Sequence, residues 1–329
     1  MNILMGNNTL SLLAGSETWT ETLAKQFKWL GHNVTVFSTD LGMIATKLEA
    51  VGVKCINKVQ TKSGVKPFSF VLESSAGGEY DVIICNHNQI TKDLHAAFPQ
   101  TPIIATIHGP LHKGENGDIW PEHPVTEFKV NQYVGVSEEI QHILKADYGI
   151  ESCIIRNFID LKRFKKPEKI NEKPKKFLIN SNYYGPQDPI TQIIKAVADH
   201  YQGELMAVGT NFSQTYEVWD VVSNCDVVVG MGRSLLEGMA AGKLAICHGR
   251  WGTGGVVTPE SYEAIRNQNF SGRNSKGQFM SPEEMIAVID KAYTQENIDE
   301  IYEIVKKEHD VVVNAQQYLE LAQSLIIKQ

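Results

Sequence analysis

The stretch "VVVGMGRSLLEGMAAGKLAIC", from Val227 to Cys247, places two glycines, an arginine and a carboxylate between two apolar runs. An apolar run that ends in Gly230-Met231-Gly232-Arg233-Ser234 and passes into a helical pattern reads as strand, turn and helix N-terminus. Glycines at Gly230 and Gly232 let a backbone approach a ligand closely. A helix N-terminus offers N–H groups and a partial positive charge. Arg233 adds a planar fork that matches phosphate oxygens. Together these residue types suit a pyrophosphate, and Ser234 and Leu235 of the same turn are counted with them. The spacing fits neither Gly-x-x-x-x-Gly-Lys-Ser/Thr nor Gly-x-Gly-x-x-Gly. Glu237, three residues after Ser234, has two readings that do not exclude each other. It is the N3 partner of an N-capping Ser234, or it accepts from two vicinal hydroxyls such as those of a ribose.

The elements that must position these residues repeat along the chain. Short apolar runs alternate with amphipathic stretches, which implies parallel sheets covered by helices. In the first half the runs are "NILM", "NVTVFS", "YDVIICN", "TPIIATIHG" and "QYVGVS". "GSETWTETLAKQFKWLGH" predicts a helix with Trp19, Leu23, Phe27 and Leu30 on one face and Gly31 as its stop. Ser137 is read as the cap of a second helix. "KRFKKPEKINEKPKK" breaks the periodicity and reads as a linker. The second half restarts with "KKFLINSN", "DPITQIIKAVADHY", "ELMAVG", "CDVVVG" and "KLAICHG". Ser281-Pro282-Glu283-Glu284 is a capping box with proline at N1, and a last helix covers about 316–327. The expected domains are 1–165 and 166–310, followed by a C-terminal helix within 311–329. Ligands of open α/β sheets sit beyond the carboxyl ends of the strands. The candidate positions are therefore "GNNTLSLLAGSE", His87, His108-Gly109, Ser137, Asn180-Ser181-Asn182, Gly209-Thr210 and Gly230 to Ser234.

Bulk properties narrow the class. The formal net charge of -7 argues against a dedicated nucleic-acid binder. The five cysteines, Cys55, Cys85, Cys153, Cys225 and Cys247, are scattered with no Cys-x-x-Cys pair, as expected of buried thiols in a reducing compartment. No Asp-x-Asp motif or His/Cys cluster suggests a metal site. Met1 leads straight into a strand-like run, so no signal peptide is expected. No apolar stretch approaches the roughly 20 residues of a membrane span. The expected location is the cytoplasm, free or at the periphery of a membrane. The long loop "IHGPLHKGENGDIWPEHPV" balances acid and base, which favours a soluble acceptor slightly over a membrane-bound one.

"SLLEGMAAGKLAIC" resembles the "LEAMAAGLPVV" segment of retaining GT-B glycosyltransferases, the group that includes family 4. Other segments fall in the same order. "AGSETWTETLAKQFKWLGHNVTVFS" resembles the group's glycine loop, first helix and "GHEVTV" strand. "PIIATIHGP" resembles its "VVTVHG", and "YVGVSEEIQHIL" through "IRNFIDLKRF" resembles "VVAVSEA" through "PNGVDLERF". The resemblance implies an α/β GT-B fold, two Rossmann-like domains with parallel sheets facing a central cleft. The N-terminal domain would take the acceptor and the C-terminal domain the donor, with the last helix packing back towards the N-terminal domain. It implies transfer of a sugar from a nucleotide-diphospho-sugar, UDP- or GDP-linked, to a hydroxyl acceptor, with retention and without a metal or other cofactor. The acceptor would be a small molecule, a glycan or a lipid-linked sugar.

Residue by residue, Gly15 matches the second glycine of the N-terminal loop, with Ser16 beside it and Ala14 replacing the first glycine. His108 matches the histidine near the donor sugar. Asn157 and Asp160 match the "NGVD" turn, where Asx side chains bond their own backbone. Glu237 matches the glutamate expected on the nucleotide ribose. The sequence departs from the group at three places. Val229 stands where another glutamate is common. "NSNYYGPQDP" lacks the usual Arg/Lys pair for the diphosphate. The segment between "ELMAVG" and "CDVVVG" is short. Arg233 with Arg250 are the expected replacement cations, since a buried diphosphate needs compensating donors, and Arg273 of "NFSGR" is a weaker one. Gly254, in a Gly252-Thr253-Gly254-Gly255 loop, would add backbone N–H groups. Asn182 and Gly209 complete the donor set, and His108 and Glu17 are the catalytic candidates. The alternatives are a non-catalytic nucleotide-sugar binder on a degenerate GT-B fold, a glycosyltransferase acting on modified DNA bases, and a nucleotide-sugar epimerase.

Overall fold

Ile3-Leu4-Met5 and Val227-Val228-Val229 are apolar at every position, the pattern of strands covered on both faces, and all six side chains are fully buried. The computed structural model describes residues 1–57, 79–110 and 124–327 in full, with the backbone of 60–61, 64–65, 112–113 and 119–120 between them. Much of the long loop from Ile107 to Val125 lies outside the described residues. The chain forms two units, Met1–Arg156 with Val311–Gln329, and Asn157–Asp310.

The first unit holds β1 (Asn2–Asn7), α1 (Gly15–Trp29), β2 (Asn33–Ser38), α2 (Met43–Glu49), β3 (Lys54–Asn57), β4 (Val82–Cys85) and α3 (Asn88–Ala97). It continues with β5 (Ile103–Ile107), β6 (Gln132–Gly135), α4 (Glu138–Tyr148) and β7 (Ser152–Ile154). Its sheet runs in the order β7-β6-β5-β4-β1-β2-β3, parallel throughout. The order reverses between β1 and β4, the topological switch point where a crevice opens in doubly wound sheets. Trp19, Leu23 and Phe27 of α1 are buried as the period predicts. Leu30 is not. It is the C-cap and turns outward, because the helix ends at Trp29 and Gly31 takes φ +86°. Ser137 caps α4, accepting from Ile140 N, and Gly149 closes it in the left-handed region.

The second unit holds β8 (Lys176–Asn180), α5 (Pro189–His200), β9 (Glu204–Val208), α6 (Val218–Ser223), β10 (Val227–Gly230) and α7 (Arg233–Ala240). Then come β11 (Leu244–Gly249), β12 (Gly252–Val256), α8 (Pro259–Arg266), α9 (Pro282–Ala292) and α10 (Gln295–Glu308). The order is β9-β8-β10-β11-β12, with the switch point between β8 and β10. Alternate residues of β10 sort to opposite cores. Val227 and Val229 pack with Ile190 and Ile194 of α5 and with Met285 and Ile289 of α9. Val228 packs with Val222 of α6. Burying such a valine contributes roughly 1.5–3 kcal/mol.

Four readings of the sequence need correction. Gly252 to Val256 is a strand, not a loop. It pairs antiparallel with β11 across a register shift at Cys247/His248, so the sheet is mixed. The stretch 162–176, read as a linker, is tied down within the second unit. Lys166 pairs with Asp299 at 2.6 Å, Ile170 N donates to Gln295, and Lys175 N and Lys176 N donate to Asp226. The chain passes between units at 156/157 rather than at 165/166, and returns at 310/311. The last helix, α11 (Val311–Ile326), starts before Gln316, and it belongs to the first unit. Ser281 does form the predicted capping box with Glu284.

Gly209, just past β9, has φ +143°, and a Cβ there would overlap the Ser181 carbonyl. Gly209→Ala is therefore expected to destabilise the second unit by about 2–4 kcal/mol. Urea unfolding of the variant followed by native-state hydrogen exchange should show weakened protection in β8 to β11 and unchanged protection in β1 to β6.

Candidate functional site

In the second unit the candidate residues gather at the β8/β10 switch point. β8 ends in Asn180 and β10 ends in Gly230, and a Cβ on Gly230 would lie 2.7 Å from Asn180 O. That close approach requires glycine and leaves the two strand ends side by side. Gly232 is the N-cap of α7 at φ +56°, ψ -124°. Its N–H is held by Phe270 O at 2.8 Å, so the "NFSGR" segment braces the turn. Asn269 and Phe270 both take positive φ to do so, and such strain clusters beside functional sites.

The helix starts at Arg233, so Ser234 is at its second position and Glu237 at its fifth. The capping-box reading of Ser234 and Glu237 is therefore overturned: the turn is capped by a glycine, and the carboxylate is left for other work. Glu237 is 9% exposed. Its Oε2 accepts from Asn180 Nδ2 at 2.9 Å, and its Oε1 lies 3.5 Å from Arg233 Nε. Burial raises its pKa, opposed by Arg233, the Asn180 amide and Arg163. A carboxylate has lone pairs beyond these two contacts, so it can still accept from hydroxyls.

Arg233 is placed differently from expectation. Its guanidinium donates to Phe158 O at 2.6 Å and faces Glu237, so its fork is used within the unit. Leu235 is wholly buried beside Ile159 and Met239, a core residue rather than a wall of the site. Asn182 Oδ1 accepts from Thr210 N at 3.0 Å, tying the β8 and β9 ends together. Gly254 lies within β12 rather than in a loop, and its carbonyl accepts from Asn274 Nδ2. Arg250 follows β11 and is exposed, its guanidinium 4.8 Å from the Trp251 ring centroid. Asp160 caps a short turn through Lys162 N, as its Asx role implies.

In the first unit a polar chain crosses the β1/β4 switch point. Asn86, just past β4, donates through Nδ2 to Asn7 Oδ1 at 3.4 Å and to Thr20 Oγ1 at 3.1 Å. Its Oδ1 faces His108 Nε2 at 3.2 Å. With the amide oriented so, His108 carries a proton on Nε2. Glu17, 3% exposed, accepts from Ser16 Oγ at 3.0 Å and from the Asn7 amide. Burial raises its pKa. Gly15 is the first residue of α1, and a Cβ there would meet nothing. Trp19 packs edge-on against His108 at 5.2 Å and against Tyr318 of α11 at 5.8 Å. Tyr318 bonds Thr106 at 3.0 Å, two residues before His108. Glu17 and His108 are thus linked through Asn7 and Asn86. Sequence reasoning named His87 at the β4 end instead of Asn86. His87 is buried, and its pKa is pulled down to about 4 by desolvation. "YDVIICN" ends in Asn86, so the strand-end rule contained the signal. Among the described residues no His/Cys/Asp/Glu cluster suits a metal, and no helix is long and apolar enough to cross a membrane.

Because the folded Glu17 pKa lies above its ordinary 4.5, the folded state binds the proton more tightly. Its contribution is full below pH 4.5 and is lost as pH rises through the folded value. Glu17→Gln should then raise the thermal midpoint at pH 7, and the gain should vanish near pH 4. A calorimetric scan from pH 4 to 8 checks this, and a gain independent of pH would contradict it.

Residues 13–163 match the Glycosyltransferase Family 4 domain. Among curated proteins, none matches the chain by sequence. Of solved structures, a glycosyltransferase from Rickettsia africae ESF-5 is similar at 13% identity and TM-score 0.67, covering 100% of this chain and 99% of its own. Anabaena Alr3699/HepE, solved with UDP and glucose, is similar at 16% identity and TM-score 0.66, covering 98% and 100%. WaaG, a glycosyltransferase involved in lipopolysaccharide biosynthesis, is similar at 12% identity and TM-score 0.59, covering 97% and 99%. The chain has the GT-B fold of these glycosyltransferases, and its residues 13–163 match the Glycosyltransferase Family 4 domain.

Proposed function

We propose that the protein moves a sugar from a nucleotide-diphospho-sugar, UDP- or GDP-linked, to a hydroxyl acceptor, with retention and without a metal. The observation that carries this reading is the Asn180–Glu237 pair at the β8/β10 switch point. It holds a desolvated carboxylate beside a glycine turn and a helix N-terminus. In that arrangement Glu237 accepts from the ribose hydroxyls, and Asn180 fixes which oxygen remains available. The diphosphate lies over Gly230 to Ser234, where the helix dipole favours negative charge. The second unit is then the donor side and the first the acceptor side. The ligands seen in the HepE structures, UDP, glucose and UDP-glucose, support a donor of this kind.

Breaking the sugar–phosphate bond leaves charge on the phosphate, and preorganised cations and dipoles lower that barrier. Arg250 is the exposed cation available for this. Arg233 acts through Glu237, setting its charge and position. In a retaining transfer the departing phosphate takes the acceptor's proton, so no separate base is required. On the acceptor side, His108 spends its Nε2–H on Asn86 and presents Nδ1 as a hydrogen-bond acceptor for a hydroxyl, and Glu17 sets its network from behind. The family match over residues 13–163 favours sugar transfer over the non-catalytic binder and the epimerase. The net charge of -7 disfavours a DNA acceptor.

Thermal shift against UDP, GDP, ADP and dTDP tests the donor site. A nucleotide at a hundredfold its Kd adds about 2.7 kcal/mol. One nucleotide should stabilise the wild type, and Glu237→Gln and Asn180→Ala should each lose most of that shift. No shift with any nucleotide overturns the reading. Turnover of the matching nucleotide-sugar should survive excess EDTA unchanged.

A further inference from the structure

The second unit opens at Asn157 and closes at Asp310, and its two ends lie side by side. Ile159 N donates to His309 O at 2.9 Å, and Ile159 and Asp310 form a parallel bridge. His309, the C-cap of α10, is 2% exposed. A buried imidazole is costly unless its nitrogens are bonded, and both are. Nδ1 lies 2.5 Å from Asn157 O. A carbonyl oxygen only accepts, so Nδ1 carries a proton in either charge state of the ring. Nε2 lies 2.9 Å from the Tyr262 hydroxyl of α8. The same hydroxyl lies 3.0 Å from Glu308 Oε2, and Arg266 Nη1 donates to that oxygen at 3.2 Å. The Phe270 ring stands 5.8 Å from the imidazole at 63°.

Two routes lead from this ring to the Gly230–Ser234 turn. The first runs along the backbone. Next to the Asn157 carbonyl is that of Phe158, which accepts from Arg233 Nη1 at 2.6 Å, and Arg233 Nε lies 3.5 Å from Glu237 Oε1. The second runs through a side chain. Asn157 Nδ2 donates to Asn269 Oδ1 at 2.9 Å. The following carbonyl, Phe270 O, holds Gly232 N at 2.8 Å. Asn269 and Phe270 both have positive φ, a conformation that persists only where the surroundings over-determine it. His309 acts on both residues of that strained pair, on Asn269 through Asn157 and on Phe270 by packing against its ring.

We propose that His309 is a positioning residue for the donor turn. Its Nδ1–H fixes Asn157, and Asn157 passes that position to Arg233 through Phe158 and to Gly232 through Asn269 and Phe270. Glu237 and the N-terminus of α7 are thereby held in one arrangement before the nucleotide arrives, and such preorganisation raises affinity. The two nitrogens have different parts. Nδ1–H does the positioning, and Nε2, facing Tyr262, orients the ring. A leucine would fill a similar volume and leave the Asn157 carbonyl without this donor. The inference rests on the donor-site reading above and adds to it a residue that acts from the seam where the ends of the unit meet.

Titration calorimetry with UDP and GDP on the wild type, His309→Leu, His309→Gln and His309→Asn tests it. Asparagine puts an amide N–H near the Nδ1 position, and glutamine puts one near the Nε2 position. Each protein is measured well below its own thermal midpoint, where a merely structural role leaves the affinity of the folded protein unchanged. His309→Leu and His309→Gln should bind the nucleotide about tenfold more weakly, and His309→Asn should stay within about twofold of wild type. Hydrogen exchange at the Gly232 N–H is the second readout and needs no ligand. It should quicken in the leucine and glutamine variants and keep the wild-type rate in the asparagine variant. If a nucleotide binds and the asparagine variant is no better than the glutamine one, this inference is overturned and the donor site stands. If His309→Leu does not fold, the asparagine and glutamine variants still decide. If no nucleotide binds the wild type, the donor reading fails, and the Gly232 exchange decides this one: equal rates in all the folded proteins overturn it.

Discussion

A carboxylate held out of water where a parallel sheet changes direction is the constraint on which the second unit depends. Glu237 is desolvated, and burying a charge without partners would cost several kcal/mol. Asn180 and Arg233 make it tolerable, and each in turn dictates something else. Asn180 must end β8 against Gly230, which excludes a side chain there. Arg233 must reach Phe158 O and Glu237 at once, which fixes the start of α7. Phe270 must hold Gly232 N, which forces positive φ on Asn269 and Phe270. The turn, the helix start and the "NFSGR" segment are parts of one arrangement around one charge.

The first unit solves a similar problem with amides. Asn7 and Asn86 face each other across the β1/β4 reversal, and each spends both ends of its amide. Such networks are stabilising only when fully satisfied. They leave His108 with a defined tautomer. An aromatic wall of Trp19 and Tyr318 stands behind the imidazole.

Much of this was legible in the sequence, and the exceptions have physical reasons. Central strands such as "VIIC" and "VVVG" are apolar throughout because both faces are covered. β3 and β7 lie at the sheet edges, are only partly buried, and give no continuous run. β12 is "GTGGV", whose glycines hide a strand behind a loop-like composition. The alternation of strand and helix placed His108 and Gly230 at strand ends, as the structure has them. It could not say where side chains point. Arg233 looked like a cation facing a ligand and instead serves its own unit, because only the fold brings Phe158 and Glu237 within its reach. The boundary at 165/166 was drawn from a run of lysines and prolines, but those backbone N–H groups are bonded to Asp226 and Gln295. Composition marks a polar surface, and hydrogen bonds decide whether it is a linker.

The first unit is assembled from both ends of the chain, with the second unit inserted whole between them. Domains fold as units while synthesis proceeds from the N-terminus. The second unit is contiguous and can close as soon as Asp310 has emerged. The first unit cannot. Tyr318, which seals Trp19 and bonds Thr106 behind His108, is made only after the whole second unit. Until α11 has emerged, Trp19 and Thr106 lack their Tyr318 partner. The order of translation therefore sets the order of maturation: the unit that holds Glu237 closes first, and the unit that holds His108 closes only when α11 arrives.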